Sequence, residues 1–141
     1  MKLEKILTIS GKPGLFHLES QTRTGFLATS LLDNKRITVS IRHNVSLLSE
    51  IAIYTLEKEV PLNEVFKAIK EKENNGNTSV NHKDSKDTLE EYFFGVLPNY
   101  DEERVYASDI RKIIQWYNIL LDKGFLEEEV TTEEVVVDKA D

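Results

Sequence analysis

The chain has 141 residues, of which 40% are hydrophobic and 30% are charged, and its net charge is -7. This apolar fraction is enough to build a core, so the composition excludes a disordered chain. The sequence contains no Cys, which excludes disulfides, cysteine-ligated metal centres and a cysteine nucleophile. It has neither a transmembrane-length apolar run nor a signal-peptide core, so we expect a cytoplasmic protein with no membrane partner.

The negative charge is concentrated at the end of the chain. Residues 1–60 carry a net charge of +2, residues 61–126 a net charge of -3 and residues 127–141 a net charge of -6. The last segment, EEEVTTEEVVVDKAD, has the composition of an acidic disordered tail. The alternative is a short strand or peptide that docks on a partner or on the edge of the protein's own sheet.

Residues 1–60 have the pattern of a small β domain. From Ile37 to Arg42, apolar and polar residues alternate, which is the period of a half-buried strand. The other predicted elements are strands at 15–18, 25–29 and 51–55, turns at 11–14 and 33–35, and a loop or single helical turn at 44–49. Short strands joined by tight turns favour an SH3-like or Sm-like barrel. The strand at 51–55 is apolar on both faces, so we expect it to be central or covered.

After Pro61 the apolar period changes to that of an amphipathic helix. Three helices are predicted: one from Leu62 to the stop signal at 74–76, one from a capping box at Asp87 and Glu90 to Pro98, and one from a Ser108 cap to Gly124. The overall prediction is an α+β fold, a small barrel followed by a three-helix segment. Its parts are a β-barrel-like domain at 1–60, a helical domain at 61–126 with a polar linker at 74–86, and an acidic disordered tail at 127–141.

The sequence contains no recognisable catalytic pattern. His17, His43 and His82 lack the paired spacing of metal ligands, and three consecutive acids at 101–103 point in different directions on any regular backbone. The segment 11–14 is too short for a phosphate-binding loop, and its Pro13 lacks an amide donor. We therefore predict no enzymatic activity, no cofactor and no small-molecule substrate. A carboxylate pair assembled only by the fold stays open.

The leading hypothesis is a non-catalytic protein-interaction or regulatory module. Trp116 falls beside the apolar stripe of the third helix rather than in its centre, so we expect it to be half-exposed. An exposed Trp is a common marker of a contact surface. The predicted partner is another protein or a second copy of this chain, although packing of Trp116 against the β domain explains the pattern equally well.

The alternative hypothesis is a module that binds single-stranded RNA or DNA. Arg36 and Arg42 lie on the polar side of one strand, and further cations lie in or near the turns. The candidate nucleic-acid-binding residues are Arg36, Arg42, Lys35, Lys12 and Arg23, with Phe16, Phe26 and Tyr54 available for base stacking. The simpler interpretation is that the aromatic side chains belong to the core and the arginines are solvated. A helix-turn-helix reader is less well supported, because the third helix has a net charge of only +1.

Three long runs carry a specific resemblance. ILTISGKPGLFHLESQTRTGF, LLDNKRITVSIRHNVSLLSEIAIYT and LEEYFFGVLPNYDEERVYASDIRKIIQWYN closely resemble a family of uncharacterised proteins from Bacteroidetes-type bacteria. The resemblance spans about residues 3–121 and implies a small N-terminal β domain followed by a helical C-terminal domain, both of unknown function. It implies a protein that is not secreted, and it supplies no activity, substrate or catalytic residue.

Overall fold

The computed structural model describes residues 3–40, 42 and 44–126. They form an α+β fold with a five-stranded antiparallel sheet, a separate two-stranded hairpin and three helices. The strands are β1 (Ile6–Ile9), β2 (Lys12–Gln21), β3 (Gly25–Ser30), β4 (Arg36–Ser40), β5 (Val45–Leu47), β6 (Ala52–Tyr54) and β7 (Glu59–Pro61). The helices are α1 (Leu62–Lys72), α2 (Lys86–Val96) and α3 (Ala107–Asp122), and a short 3-10 turn spans Leu48–Glu50. The predicted tail at 127–141 lies outside the described residues, as do Ile41 and His43.

The five-stranded sheet has the order β4-β3-β2-β1-β5. The predicted hairpin of β3 and β4 is confirmed, with Phe26 opposite Val39. Within the described residues β4 and β5 each pair with one neighbour only, so no closed barrel is found and the predicted SH3-like or Sm-like closure is not established. β5 does not close the sheet onto β4, because it has only three residues and these residues pair with β1. The loop or single helical turn predicted at 44–49 is confirmed in part by the 3-10 turn at Leu48–Glu50, whereas the strands β1 and β5 were not predicted.

The first turn is shorter than predicted. Ile9 pairs with Lys12, so Ser10 and Gly11 alone form the hairpin loop, and Gly11 has a φ of 84°. Gly14 already lies inside β2, where its φ is 80°. The positive φ is what favours glycine at this position, because the atoms nearest to an added Cβ belong to the exposed side chain of Leu32, which can move aside.

The predicted strand at 51–55 does not join the sheet. Its central residues form β6, which pairs only with β7 in a separate hairpin, with Ile53 opposite Val60. Ile53 is buried in the core that the helices form, whereas Tyr54 is 40% exposed. The apolar character of this strand therefore reflects packing against helices rather than a central position in the sheet.

The three predicted helices are confirmed, but two caps differ. Ser85 caps α2, because its hydroxyl accepts the backbone N–H of Thr88; Asp87 lies in the first turn. Tyr106 is the N-cap residue of α3 in place of Ser108, and its N–H donates to Asp109 at 2.9 Å. Gly124, with a φ of 82°, follows the end of α3 as predicted.

The polar segment between α1 and α2 is held against α3. The Tyr117 hydroxyl donates to the carbonyl oxygen of Gly76 at 2.8 Å. The Arg111 guanidinium donates to the carbonyl oxygens of His82 and Asp84 at 2.9 and 2.8 Å. This segment, predicted as a linker, is therefore a loop packed onto the helical layer.

Two hydrophobic clusters lie on opposite faces of the sheet. One face packs on the helices, and Ile6, Leu15 and Leu48 belong to the same core as Phe66, Phe93 and Tyr117. The other face has its own small cluster, formed by Leu7, Ile9, Phe16, Ala28 and Val39. Because one core joins the sheet to the helices, the two halves of the chain pack as one body. Within the described residues, no helix reaches the length and hydropathy that a membrane span requires.

Candidate interaction cleft

Two adjoining clefts meet along α3. An apolar cleft of about 270 Å³ lies between α3 and β6, and a polar cleft of about 510 Å³ lies between α3 and the β1–β2 turn. Lys112 and Trp116, one helical turn apart on α3, line both of them. We call the combined surface the α3 groove. Trp116 is half-buried, as its place beside the apolar stripe predicted.

The floor of the apolar cleft is made of core residues. Ile53, Val105 and Ile113 line it and are 7%, 4% and 1% exposed. Ile113 belongs to the buried stripe of α3, and Ile53 is held by the β6–β7 pairing. A rigid apolar floor beside a half-buried Trp has the character of a contact surface.

The polar cleft is formed by the β1–β2 turn and the start of β2. Its lining includes Ser10, Gly11, Lys12, Pro13 and Ser46, opposite Gln115 on α3. Lys12, predicted as a nucleic-acid contact, therefore faces the α3 groove.

The groove carries an excess of positive charge. Its charged lining residues are Lys12, Arg104, Asp109 and Lys112. Arg104 is 3.6 Å from a carboxylate oxygen of Asp101, and its guanidinium lies 5.0 Å from the centre of the Tyr54 ring. Asp109 accepts the backbone N–H of Tyr106. Lys12 and Lys112 are exposed and form no ion pair with any residue that the structure describes.

The other predicted cations lie at two ends of the β3–β4 hairpin. Arg23 precedes Gly25 and Arg42 follows Ser40, and these two strand residues are paired at one end. Lys35 and Arg36 lie at the other end of the hairpin. The two ends are separated by the length of β3, which is about 17 Å for an extended strand of its size. The structure therefore places these four cations at the two ends of the hairpin, whereas Lys12 faces the α3 groove.

Two of the three aromatic side chains proposed for base stacking lie in or against the small sheet cluster, and the third lies in the β6–β7 hairpin. Phe16 is 4% exposed and belongs to the small sheet cluster, against which Phe26 packs. Tyr54 lies in the β6–β7 hairpin, under Arg104. Phe16 is therefore a core residue, and the stacking set suggested by the sequence is not assembled.

A small polar cluster on the sheet was missed by the sequence analysis. A carboxylate oxygen of Glu19 lies 3.1 Å from Nδ1 of His17 and accepts the Thr29 hydroxyl at 2.9 Å. These hydrogen bonds, from His17 first and Thr29 second, lower the pKa of Glu19, and the nearby charge of Arg36 adds to them. The cross-strand pairing of His17 with Thr29 creates this cluster, so only the register could have revealed it.

A second polar cluster anchors the loop after α1. The Tyr92 hydroxyl donates to Glu73 at 2.5 Å, and Ser79 N–H donates to the same carboxylate oxygen at 2.9 Å. Burial opposes ionisation of Glu73, but the hydrogen bonds from Tyr92 and Ser79 outweigh it and lower its pKa. Burial raises the pKa of Tyr92 well above its usual range, and the hydrogen bond to Glu73 and the charge of Glu73 raise it further. Within residues 3–40, 42 and 44–126, no group of three or more His, Asp or Glu side chains is arranged to hold a metal ion.

Comparison with known proteins identifies two family domains. Residues 3–48 match a domain of unknown function, DUF5606, and residues 51–120 match a second, DUF6852. A solution NMR structure from Bacteroides vulgatus, determined by a structural genomics consortium, is 46% identical, with 89% of each chain covered and a TM-score of 0.74. The chain belongs to this Bacteroidetes-type family of two-domain proteins. No curated protein matches the chain.

Residues from both matched domains line the α3 groove. Lys12 comes from the first matched domain, whereas Ile53, Lys112 and Trp116 come from the second. The polar cleft is therefore formed by both matched domains, whereas the apolar cleft is formed by the second domain alone.

Proposed function

We propose that this family member is a non-catalytic protein-interaction module that binds its partner in the α3 groove. The observation that carries the proposal is the position of Trp116, half-buried on the wall that both clefts share. Trp contributes more binding energy at interfaces than most side chains, and it does so best in a partly preformed pocket. The core residues beneath it hold that pocket in shape before any partner arrives.

The assembly of the groove from both domains supports the same proposal. A partner that contacts both Lys12 and Lys112 touches both matched domains at once, and therefore recognises their packed arrangement. A partner that reaches Lys12 therefore uses both domains, whereas contact with Trp116 and β6 involves the second domain alone.

A peptide-display selection tests the proposal. A random peptide library is selected on the full chain alone, and the affinities of the enriched peptides are then measured for the wild type and for the variant Trp116→Ala. We expect enriched peptides to lose about tenfold or more in affinity for the variant, which corresponds to about 1.4 kcal/mol or more. The matched control is Phe94→Ala, because Phe94 is an exposed aromatic outside the groove.

Two results would contradict the proposal. One is the absence of any enriched peptide on the folded full chain. The other is a set of peptides that bind the wild type, Trp116→Ala and Phe94→Ala with equal affinity. Circular dichroism and thermal unfolding of each variant establish that any lost binding does not reflect a lost fold.

A further inference from the structure

The hydrogen-bonding directions of β6 show which of its edges is free. Ile51 C=O accepts from Leu62 N–H, and Thr55 N–H donates to Lys58 C=O, so the odd-numbered residues point toward β7. In an extended strand, the next residue points its N–H and C=O to the opposite edge. Ala52 and Tyr54 therefore point away from β7. Pro61, opposite Ala52, fits this pattern because it has no N–H to offer.

The outer edge of β6 is covered at one end only. Asp101 N–H donates to Tyr54 C=O, and Leu56 N–H donates to Asn99 C=O, around the bridge between Thr55 and Tyr100. The N–H and C=O of Ala52 and the N–H of Tyr54 have no hydrogen-bond partner among the residues that the structure describes. Both residues line the apolar cleft beside Trp116.

We infer that the partner is an extended acidic segment of another protein, which adds as a strand to this edge of β6. Its backbone would pair with Ala52 and Tyr54, and its apolar side chains would contact Trp116. Acidic residues that follow would lie between Lys112 and Lys12. Strand addition of this kind takes its affinity from backbone hydrogen bonds and its specificity from side-chain pockets. The inference rests on the proposed function and specifies the class of ligand.

Charge decides in favour of an acidic segment. The groove lining carries three cations and one anion, whereas the whole chain has a net charge of -7. Lys12 and Lys112 have no ion-pair partner in the described part of the chain, so a carboxylate between them would meet two unpaired cations. A second copy bound groove to groove would instead bring two linings with the same excess of cations together, which like-charge repulsion disfavours.

The test uses a defined probe and the full chain. The probe is the acetylated, amidated peptide Thr-Val-Thr-Val-Glu-Glu, and the control peptide replaces both Glu with Lys. On adding the probe to the ¹⁵N-labelled chain, we expect amide hydrogen exchange at Ala52 and Tyr54 to slow about tenfold or more, because a hydrogen-bonded amide exchanges only when its bond opens. The Lys peptide should bind about tenfold more weakly or worse, and added salt should reduce the difference.

Two substitutions examine the edge and the charge separately. Ala52→Pro removes an N–H that points away from β7, so the pairing of β6 with β7 is kept. A residue before Pro requires an extended backbone, and Ile51 already has a φ of -87° and a ψ of 137°. We expect Ala52→Pro to fold and to weaken probe binding about tenfold. Lys112→Glu should weaken binding to a similar extent. The matched control is Lys67→Glu, on an exposed α1 position outside the groove.

The outcomes separate this inference from the proposed function. Selected peptides that depend on Trp116 but bind wild type and Ala52→Pro equally would overturn strand addition while the interaction module stands. Selected peptides that bind wild type and Trp116→Ala equally would overturn both strand addition and the proposed interaction module. An Ala52 amide already protected in the free chain would also overturn the inference, because another segment or, if protection rises with protein concentration, a second copy would occupy the edge. Should Ala52→Pro fail to fold, the amide exchange of the wild type with the two peptides decides.

Discussion

Lys112 and Trp116 lie one turn apart on α3 and form the wall common to the apolar and polar clefts. A cation and an aromatic ring thus face the same groove from the same rigid helix. The helix can hold them there because the next positions around its surface, Ile113 and Tyr117, are fully buried in the core. The α3 groove is therefore supported by a helix whose apolar stripe is buried in the core.

The nucleic-acid hypothesis makes a prediction that the groove does not share. The double variant Arg36→Glu with Arg42→Glu should abolish any binding of single-stranded RNA or DNA together with its salt dependence, because phosphate contacts release counterions. Peptide binding in the α3 groove should remain. Fluorescence anisotropy of labelled oligonucleotides over a series of salt concentrations measures the first effect. Retention of oligonucleotide binding with an unchanged salt slope would remove these two arginines from the candidate site.

Two buried tyrosines should respond differently to loss of the hydroxyl. Tyr117→Phe leaves the Gly76 carbonyl oxygen without its donor, so we expect the free energy of unfolding to fall by about 1–2 kcal/mol. The Tyr100 hydroxyl is buried with no hydrogen-bond partner in the described structure, and its ring packs on Phe93 and Phe94. Tyr100→Phe should therefore be neutral or stabilising by about 1 kcal/mol. Urea unfolding of both variants measures the difference, and equal destabilisation would contradict the assigned contacts.

The cap of α2 provides a second matched pair. Ser85→Ala removes the side chain that accepts the Thr88 N–H, and we expect a loss of about 1 kcal/mol in the free energy of unfolding. Asp87→Ala removes only a favourable charge in the first turn, which is worth about 0.3–1 kcal/mol at the surface. Urea unfolding at low salt compares them. A larger loss in the free energy of unfolding for Asp87→Ala than for Ser85→Ala would indicate that Asp87, rather than Ser85, caps α2.

Glu73 should make stability fall in acid. Its pKa in the folded chain lies below the ordinary value of 4.5, so the unfolded chain binds its proton more readily. The stabilisation is complete above that ordinary value and is lost as the pH falls through the lowered pKa of the folded state. Glu73→Gln keeps an acceptor for Tyr92 but does not titrate, so its stability should fall less steeply between about pH 6 and about pH 3. Urea unfolding across this range tests the slope, and identical slopes for wild type and Glu73→Gln would contradict the prediction.

The sequence alone determined the elements whose signals are local. The apolar stripe of α3 follows a period that only a helix can place on one face, and Gly124 supplies the positive φ that ends it. The turn before β4 was equally readable, because Asn34 tolerates the φ of 62° that it adopts there. The half-burial of Trp116 followed from its angle to the stripe. Each of these depends on residues within a few positions along the chain.

Only the tertiary structure decided where those elements meet. Residues 51–55 have the composition of a strand, but their pairing with β7 rather than with the sheet depends on the core that the helices provide. The α3 groove joins Lys12 to Lys112 across one hundred positions of sequence. The free edge of β6 likewise depends on where residues 99–101 stop pairing. Such contacts arise from packing between segments that are distant in sequence. The local hydrophobic period of a segment does not determine which distant segment it packs against.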